Sequence, residues 1–168
     1  MKYPCLVVLG ILVLSVWFIP PTSANNQQVS SRHFIVYPIG KVDKQGGRTT
    51  IIVDRKYQPG LLGLERFSHV LVFYWFDRND TPQKRSILQV HPHGKKQNPL
   101  KGVFATRAPV RPNLIALSLC RIISIRENVI EIDQIDAFPN SPVLDLKPYF
   151  PSVDAANATW PEWVDRKQ

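Results

Sequence analysis

Residues 114–135 read LIALSLCRIISIRENVIEIDQI, and this stretch decides the fold class. Its first part, 114–125, is an apolar run rich in β-branched residues. Its last part, 129–135, alternates apolar and acidic side chains. A period of two is typical of a β-strand with one buried face. Glu127 and Asn128 separate the two parts, so the stretch predicts two antiparallel strands joined by a short turn.

Similar short runs recur along the chain and predict further strands. The predicted turn DKQGGR (43–48) separates the first two predicted strands. A helical turn is expected at 59–67, and a basic loop is expected at 93–102. The further predicted strands are 33–42, 49–54, 68–76, 85–92 and 142–150. Six or seven short strands predict an all-β barrel or sandwich. The chain lacks a GxGxxG or GxxxxGK[ST] motif, which argues against a Rossmann or P-loop domain.

The amino-terminal segment 1–24 has the order of a secretory signal peptide. One lysine is followed by an apolar run and then by PPTSA, so cleavage is expected after Ala24. The run is shorter than the roughly 20 residues of a membrane helix, which leaves an uncleaved membrane anchor as the alternative. We therefore expect an exported protein, periplasmic or secreted, or a membrane-anchored one; it would be cytoplasmic if the start is misassigned. The expected organisation is a leader (1–24), a linker (25–32), one small β domain (33–154) and a tail (155–168).

Charge is distributed unevenly in a chain of formal net charge +8. Residues 81–126 hold nine basic residues and no acidic one, whereas 127–165 hold eight acidic residues and one basic residue. The two blocks either neutralise each other within the fold or create a dipolar surface. DNA binding is not expected, because the basic residues are not interleaved with stacking aromatics.

The best functional candidate is the stretch GVFATRAPVRPN (102–113). Arg107 and Arg111 lie four residues apart in a segment stiffened by Pro109 and Pro112, without a local carboxylate. A guanidinium group binds carboxylate or phosphate in a planar, bidentate geometry, and nearby prolines lower the entropy lost on fixing it. The stretch therefore predicts a site for a ligand that carries a carboxylate, a phosphate or both.

Other candidate groups are less specific. His91-Pro92-His93 lacks a third and a fourth ligand, so no metal site is predicted. Asp145, Lys147 and Tyr149 alternate along a predicted strand, where they either line a pocket or form an internal ion pair capped by the tyrosine hydroxyl. Cys120 lies in an apolar stretch and is expected to be a buried core residue. Without the leader it is the only cysteine, so no intramolecular disulfide is expected.

Four motifs together resemble the TsaA-like (TrmO) family, and the resemblance runs from about His33 to Asp154. The motifs are IGKV (39–42), GLERFSHVLVFYWF (63–76), GVFATRAPVRPN (102–113) and SPVLDLKPYFPSVD (141–154). This family consists of β-barrel methyltransferases that use S-adenosylmethionine to methylate N6 of threonylcarbamoyladenosine in the tRNA anticodon loop. The resemblance thus implies a single small β-barrel, S-adenosylmethionine as cofactor, tRNA as substrate and a homodimer that holds the cofactor near the subunit interface.

Carried over to this chain, the resemblance also implies site residues. Arg107 would bind the methionine carboxylate of the cofactor, and Arg111 and Asn113 would order the loop or contact the substrate. The implied cofactor-binding residues are Asp77, Arg78, Arg107, Leu117, Asn140, Ser141 and Pro142. The implied substrate-binding residues are Arg111, Asn113, Lys147 and Tyr149. No catalytic base follows from the motifs.

The chain also departs from the family pattern near the cofactor. The family usually has histidine where Asp77 stands, and a longer segment where DKQGGR (43–48) leads directly into the next strand. Together with the predicted leader, these departures favour an alternative function. In that alternative the chain is an exported, catalytically degenerate barrel that binds a small anionic or nucleoside-like ligand.

Overall fold

The computed structural model describes residues 33–154 together with Thr159, Pro161 and Val164, apart from the side chains of Val153 and Asp154. The predicted leader, the linker and most of the tail lie outside these residues. Within the described part of the chain, no helix is long and apolar enough to cross a membrane. All strands belong to the compact unit Ile35–Gln168.

Six strands close into a barrel in the order β1-β2-β7-β6-β3-β8, and every neighbouring pair is antiparallel. The strands are β1 Gly40–Gln45, β2 Arg48–Val53, β3 His69–Trp75, β4 Gln89–Val90, β5 Lys101–Gly102, β6 Ile115–Arg126, β7 Val129–Ile132 and β8 Pro142–Pro148. The predicted barrel is thus confirmed, and β4 and β5 form a separate two-stranded sheet.

Helical structure in the described residues is confined to short pieces between strands. The two α-helical turns are α1 Pro82–Arg85 and α2 Pro151–Asp154. The 3-10 segments are Arg55–Leu61, Leu64–Arg66, Asp77–Asn79, Pro92–Gly94 and Val103–Ala105.

The antiparallel pair predicted from residues 114–135 is confirmed as β6 and β7. Their register ends at Arg126 opposite Val129, so Glu127 and Asn128 form the turn. Glu127 has a φ of 53°, in the left-handed region that tight hairpin turns use. The side-chain amide of Asn128 donates to the carbonyl of Val53 at 2.6 Å, which ties this turn to β2.

The barrel interior is filled by alternate residues of its strands, as the period of two requires. Cys120 has no exposed surface, so the prediction of a buried core cysteine is confirmed. The other buried apolar residues of the barrel strands are Val42, Ile51, Val53, Val70, Val72, Tyr74, Ala116, Ile130, Ile132 and Val143.

Gly40 opens β1 at a point where two strands approach closely. A Cβ atom at this position would lie 2.3 Å from the carbonyl oxygen of Ile52 and 2.8 Å from Cα of Val53. The next turn is also made by glycines: Gly46 and Gly47 have φ of 58° and 74° and join β1 to β2. The predicted six-residue turn is therefore only two residues long.

Two predicted strands were wrong in extent. Residues 33–39 have no regular structure, because in the described chain only Ile39 of this segment bonds to a strand, through its amide to Val143. Within 85–92 only β4 is extended. Thr81 accepts a hydrogen bond from the Lys84 amide, and Pro82 follows it, so α1 forms and ends at Arg85, the first residue of the predicted strand.

Candidate functional site

A cavity of about 1330 Å³ lies between the loops that connect β4, β5 and β6. Its described lining residues lie within 87–99 and 104–110 and include Asp136 and Val164 as well. Two loops of the basic stretch 81–126 therefore meet at this cavity. One carries His91, His93 and Lys96, and the other is the arginine loop with Arg107. This arrangement is consistent with the anion-binding site that the sequence predicts.

Arg107 is held by its backbone and leaves its side chain exposed. The Thr106 hydroxyl donates to the carbonyl of Val103 at 3.1 Å and accepts from the Ala108 amide at 3.3 Å, which fixes the turn on both sides of Arg107. No described residue forms a hydrogen bond or ion pair with the Arg107 guanidinium. This group is therefore a positive charge on the cavity wall that is available to a ligand.

Arg111, the second arginine of the loop, has a different role. Its Nη2 donates to the carbonyl of Val103 at 3.2 Å, and the residue is half-buried. Arg85 acts similarly from α1, donating from Nη1 to the carbonyl of Pro112 at 2.9 Å. Of the two roles implied for Arg111, the structure therefore supports loop ordering. Asn113 is exposed at the end of the same loop and does not line the cavity.

Asp136 connects the cavity wall to the barrel interior. The buried Tyr74 hydroxyl donates to its backbone carbonyl and lies 3.5 Å from the hydroxyl of Ser118. Burial raises the pKa of Tyr74; the hydrogen bond from Ser118 opposes this, and the charge of Asp136 adds to it. Tyr74 thus remains a protonated donor, and it anchors one wall of the cavity to β3.

Five of the implied cofactor residues form a second cluster where β3 ends and β8 begins. The Ser141 hydroxyl, only 3% exposed, donates to Asp77 Oδ1 at 3.3 Å. The Arg78 guanidinium carbon lies 3.8 Å from the centroid of the Phe138 ring. Asn140, which has a φ of 68°, accepts a hydrogen bond from Lys41 at 3.3 Å, and Pro142 begins β8. The fold thus brings Asp77, Arg78, Asn140, Ser141 and Pro142 together.

The structure does not bring this cluster to Arg107. None of its five residues lines the cavity, and Leu117 lies on the outer face of β6 with a partly exposed side chain. The implied cofactor residues therefore occupy three places in one copy of the described chain: the cavity, the β3–β8 end and the β6 face.

The alternating group on β8 forms an exposed ion pair. Lys147 Nζ lies 2.8 Å from Asp145 Oδ2, and about half of each side chain is exposed. Tyr149 follows the strand and contacts His69 edge-on, with ring centroids 6.3 Å apart. Of the two sequence alternatives, the structure supports the ion pair, although it is neither internal nor capped by Tyr149. A role for Lys147 and Tyr149 in substrate binding remains a prediction.

Sequence reasoning missed several residues of the cavity wall. Phe104 lines the cavity with an exposed ring, and so do His91, His93 and Lys96. The His91-Pro92-His93 motif suggests only metal ligation, and within the described residues no group of three metal-binding side chains occurs. The available sequence clue was their position in the basic loop that leads into the arginine stretch.

Comparison with known proteins identifies the family. Residues 34–155 match the family described as tRNA-methyltransferase O N-terminal domain. A probable S-adenosyl-L-methionine-binding protein of Methanocaldococcus jannaschii is 41% identical over 121 residues, which cover 72% of this chain and 96% of that protein. A tRNA (adenine(37)-N6)-methyltransferase of Rattus norvegicus is 35% identical over 66% of this chain but only 25% of its own length.

Solved structures agree with the sequence comparison. A crystal structure of TrmO is similar with a TM-score of 0.61 and 29% identity, over 78% of this chain. The match covers 64% of that TrmO chain, so this chain spans less than two thirds of it. A TrmO structure from Pseudomonas aeruginosa gives a TM-score of 0.59 at 27% identity. The resemblance noted from the four motifs is therefore confirmed, and the chain belongs to the family of the tRNA-methyltransferase O N-terminal domain.

Proposed function

We propose that this protein is an S-adenosylmethionine-dependent methyltransferase of the TrmO type, which N6-methylates threonylcarbamoyladenosine in the tRNA anticodon loop. The observation that carries the proposal is the Arg107 side chain, exposed on the wall of a large cavity without a described partner. Membership in the family and the names of the rat and human relatives support the reaction type.

The residues of the cavity fit the proposed cofactor. Arg107 offers a bidentate partner for the methionine carboxylate, and Asp136 offers a carboxylate for the ammonium group. The exposed ring of Phe104 provides an apolar surface for a planar base. When bound, S-adenosylmethionine supplies an activated methyl group on a sulfonium, so the protein mainly has to position the two reactants.

Calorimetric titration of the full chain with S-adenosylmethionine tests the cofactor assignment. Losing a charge-assisted bidentate pair costs about 1.5–3 kcal/mol, so Arg107→Ala should weaken binding by about 10- to 150-fold. Arg126→Ala removes an exposed arginine at the β6–β7 turn and should bind like the wild type. Equal affinities for the Arg107 variant and the wild type would remove the central support for the assignment.

The substrate is tested by methyl transfer. With labelled S-adenosylmethionine, the full chain should methylate tRNA that carries threonylcarbamoyladenosine and leave the same tRNA without that modification unlabelled. Equal labelling of the two tRNAs would exclude the proposed acceptor. No labelling of either would exclude the tRNA methyltransferase function.

We also propose that the protein is a homodimer, in which a second copy completes the cofactor site. Two observations support this: the separation of Arg107 from the β3–β8 cluster, and a row of exposed apolar side chains on the outer face of β6. The row comprises Ile115, Leu117, Leu119 and Ile123. An apolar row in the middle of a sheet face is typical of a protein–protein contact.

Molar mass in solution tests the dimer. The full chain should have twice the mass of a monomer, and Leu119→Arg should be monomeric, because the new charge would be buried in the contact. Leu62→Arg changes a leucine that is even more exposed but lies before β3, and it should remain dimeric. A monomeric wild type at micromolar concentration would contradict the proposal.

A second candidate function is an exported barrel that binds a small anionic or nucleoside-like ligand. The two-residue turn at Gly46 and Gly47 favours it, since the family resemblance implies a longer segment at this place that would help to enclose the cofactor. We propose cell fractionation combined with amino-terminal sequencing as the deciding experiment. A mature protein that begins at Asn25 and occurs only outside the cytoplasm would favour the binding protein. Intact protein in the cytoplasm would favour the methyltransferase. So would intact protein that is anchored to the membrane with its β domain on the cytoplasmic side.

A further inference from the structure

The imidazole of His91 is fixed in one orientation on the wall of the cavity. His91 lines the cavity together with Arg107, and its Nδ1 lies 2.7 Å from the backbone carbonyl oxygen of Asn98. A carbonyl oxygen only accepts hydrogen bonds, so Nδ1 must carry the hydrogen. Because a neutral imidazole has a single N–H, Nε2 then carries the lone pair. No described residue forms a hydrogen bond with Nε2, which leaves this atom for a ligand.

The loop around His91 is closed by its own hydrogen bonds. The Gly94 amide donates to the His91 carbonyl at 2.9 Å, and the Asn98 amide donates to the Lys95 carbonyl at 2.9 Å. The Asn98 side chain donates to the carbonyl of Pro92 at 2.8 Å. The acceptor of the imidazole N–H is thus itself held in place, and the position of Nε2 is set before any ligand binds.

We propose that His91 is the proton acceptor of the methyl transfer and that the cavity receives the acceptor nucleobase. The inference rests on the proposed methyltransferase function and adds to it the base that the family motifs do not supply. During transfer, the acceptor nitrogen forms a bond to the methyl carbon while the carbon–sulfur bond breaks and its electron pair stays on sulfur. The N–H proton of the acceptor passes to Nε2 of His91, which becomes an imidazolium and later releases the proton to water.

Among the residues that the structure describes, the other titratable and charged groups that line this cavity are His93, Lys96, Arg107 and Asp136. Of these, only His93 is of the type that ordinarily changes protonation near neutral pH. It lies two residues from His91, and no described residue bonds to its ring. His93 is therefore the alternative proton acceptor. His33, which is exposed and does not line the cavity, provides the control variant His33→Gln.

The first test is spectroscopic. It uses the wild-type protein and does not depend on catalytic activity. Long-range proton–nitrogen NMR of the full chain, with assignment of the four histidines, reports which ring nitrogen carries the hydrogen. Neutral His91 should be the Nδ1–H tautomer. An Nε2–H tautomer would place the lone pair on the wrong nitrogen and overturn the inference.

The second test is single-turnover methyl transfer to tRNA that carries threonylcarbamoyladenosine. General base catalysis typically contributes at least about 100-fold, so His91→Gln should slow the transfer step by that factor and leave affinity for S-adenosylmethionine unchanged. The rate of the wild type should fall on acidification, and this fall should be absent in His91→Gln. His33→Gln should keep both the rate, within about threefold, and the fall with acid.

The outcomes separate this inference from the proposed function. If the wild type transfers methyl groups and His91→Gln does so within about threefold of its rate, the role of His91 is refuted and the proposed function stands. If His91→Gln is slow but the fall with acid persists, another group accepts the proton, and the inference is likewise refuted. If the wild type binds S-adenosylmethionine but transfers nothing, the proposed function fails, and the proton-acceptor role fails with it.

Discussion

Replacing Gly40 by alanine should strongly destabilise the barrel. The added Cβ would lie 2.3 Å from the carbonyl oxygen of Ile52, a backbone atom that cannot rotate away. The start of β1 would have to separate from β2 by most of an ångström. The hydrogen bond on this side of β1, from the Asp54 amide to the Ile39 carbonyl, is 2.8 Å long and would stretch. Overpacking and a weakened hydrogen bond together cost about 2–4 kcal/mol.

Urea unfolding of the full chain, followed by tryptophan fluorescence, measures this loss. The midpoint should fall by about 1–2 M for Gly40→Ala. Gly60→Ala is the matched control, because a Cβ there meets no atom within 4 Å and the backbone does not have a positive φ. Its free energy of unfolding should stay within about 0.5 kcal/mol of the wild type. Equal midpoints for Gly40→Ala and Gly60→Ala would refute the argument from close approach.

Two further predictions concern ionisable groups. Burial, with a smaller contribution from the Asp133 charge, raises the pKa of the Cys120 thiol to about 12. In a Cys5→Ser variant, where Cys120 is the only cysteine, the native protein should therefore resist a thiol reagent at pH 8 until urea unfolds it. Modification as fast as that of free cysteine would contradict this. Hydrogen bonds, the larger from Arg85 and the smaller from Trp75, lower the pKa of Asp80 below 3.8. The ionised Asp80 carboxylate therefore stabilises the folded state above about pH 4, and this contribution is lost as the pH falls further. The urea midpoint of Asp80→Asn should accordingly fall less between pH 4 and pH 2 than that of the wild type, and parallel curves would refute the assignment.

The parts of the fold that sequence could predict are those in which local pattern and tertiary packing agree. β3, β6 and β7 bury apolar side chains at alternate positions, and each lies between two partner strands in the barrel. Residues 33–39 have the same β-branched and aromatic character, yet Pro38 lacks an amide hydrogen, and in the described chain no strand pairs with 33–38. Strand propensity is expressed only where a neighbouring strand is present.

The candidate site was predictable in its chemistry and not in its assembly. Two arginines in a proline-stiffened segment without acids indicated an anion site, and Arg107 does lie on a cavity wall. The sequence could not separate the roles of Arg107 and Arg111, because only the fold brings the carbonyl of Val103 within 3.2 Å of Arg111. Nor could it place Asp136, which reaches the cavity through a hydrogen bond from Tyr74, 62 residues earlier in the chain.

The way in which the cavity wall is attached has a consequence for motion. The barrel is held by continuous strand ladders, whereas the loops at 91–113 are held by the two-residue pairing of β4 with β5 and by single hydrogen bonds, such as those of Arg85 and Arg111 to carbonyls. Such bonds can break one at a time, at a free energy well below that of global unfolding. Amide hydrogens of these loops should therefore exchange with solvent long before those of β3 and β6. We therefore expect this wall to open locally while the barrel stays closed.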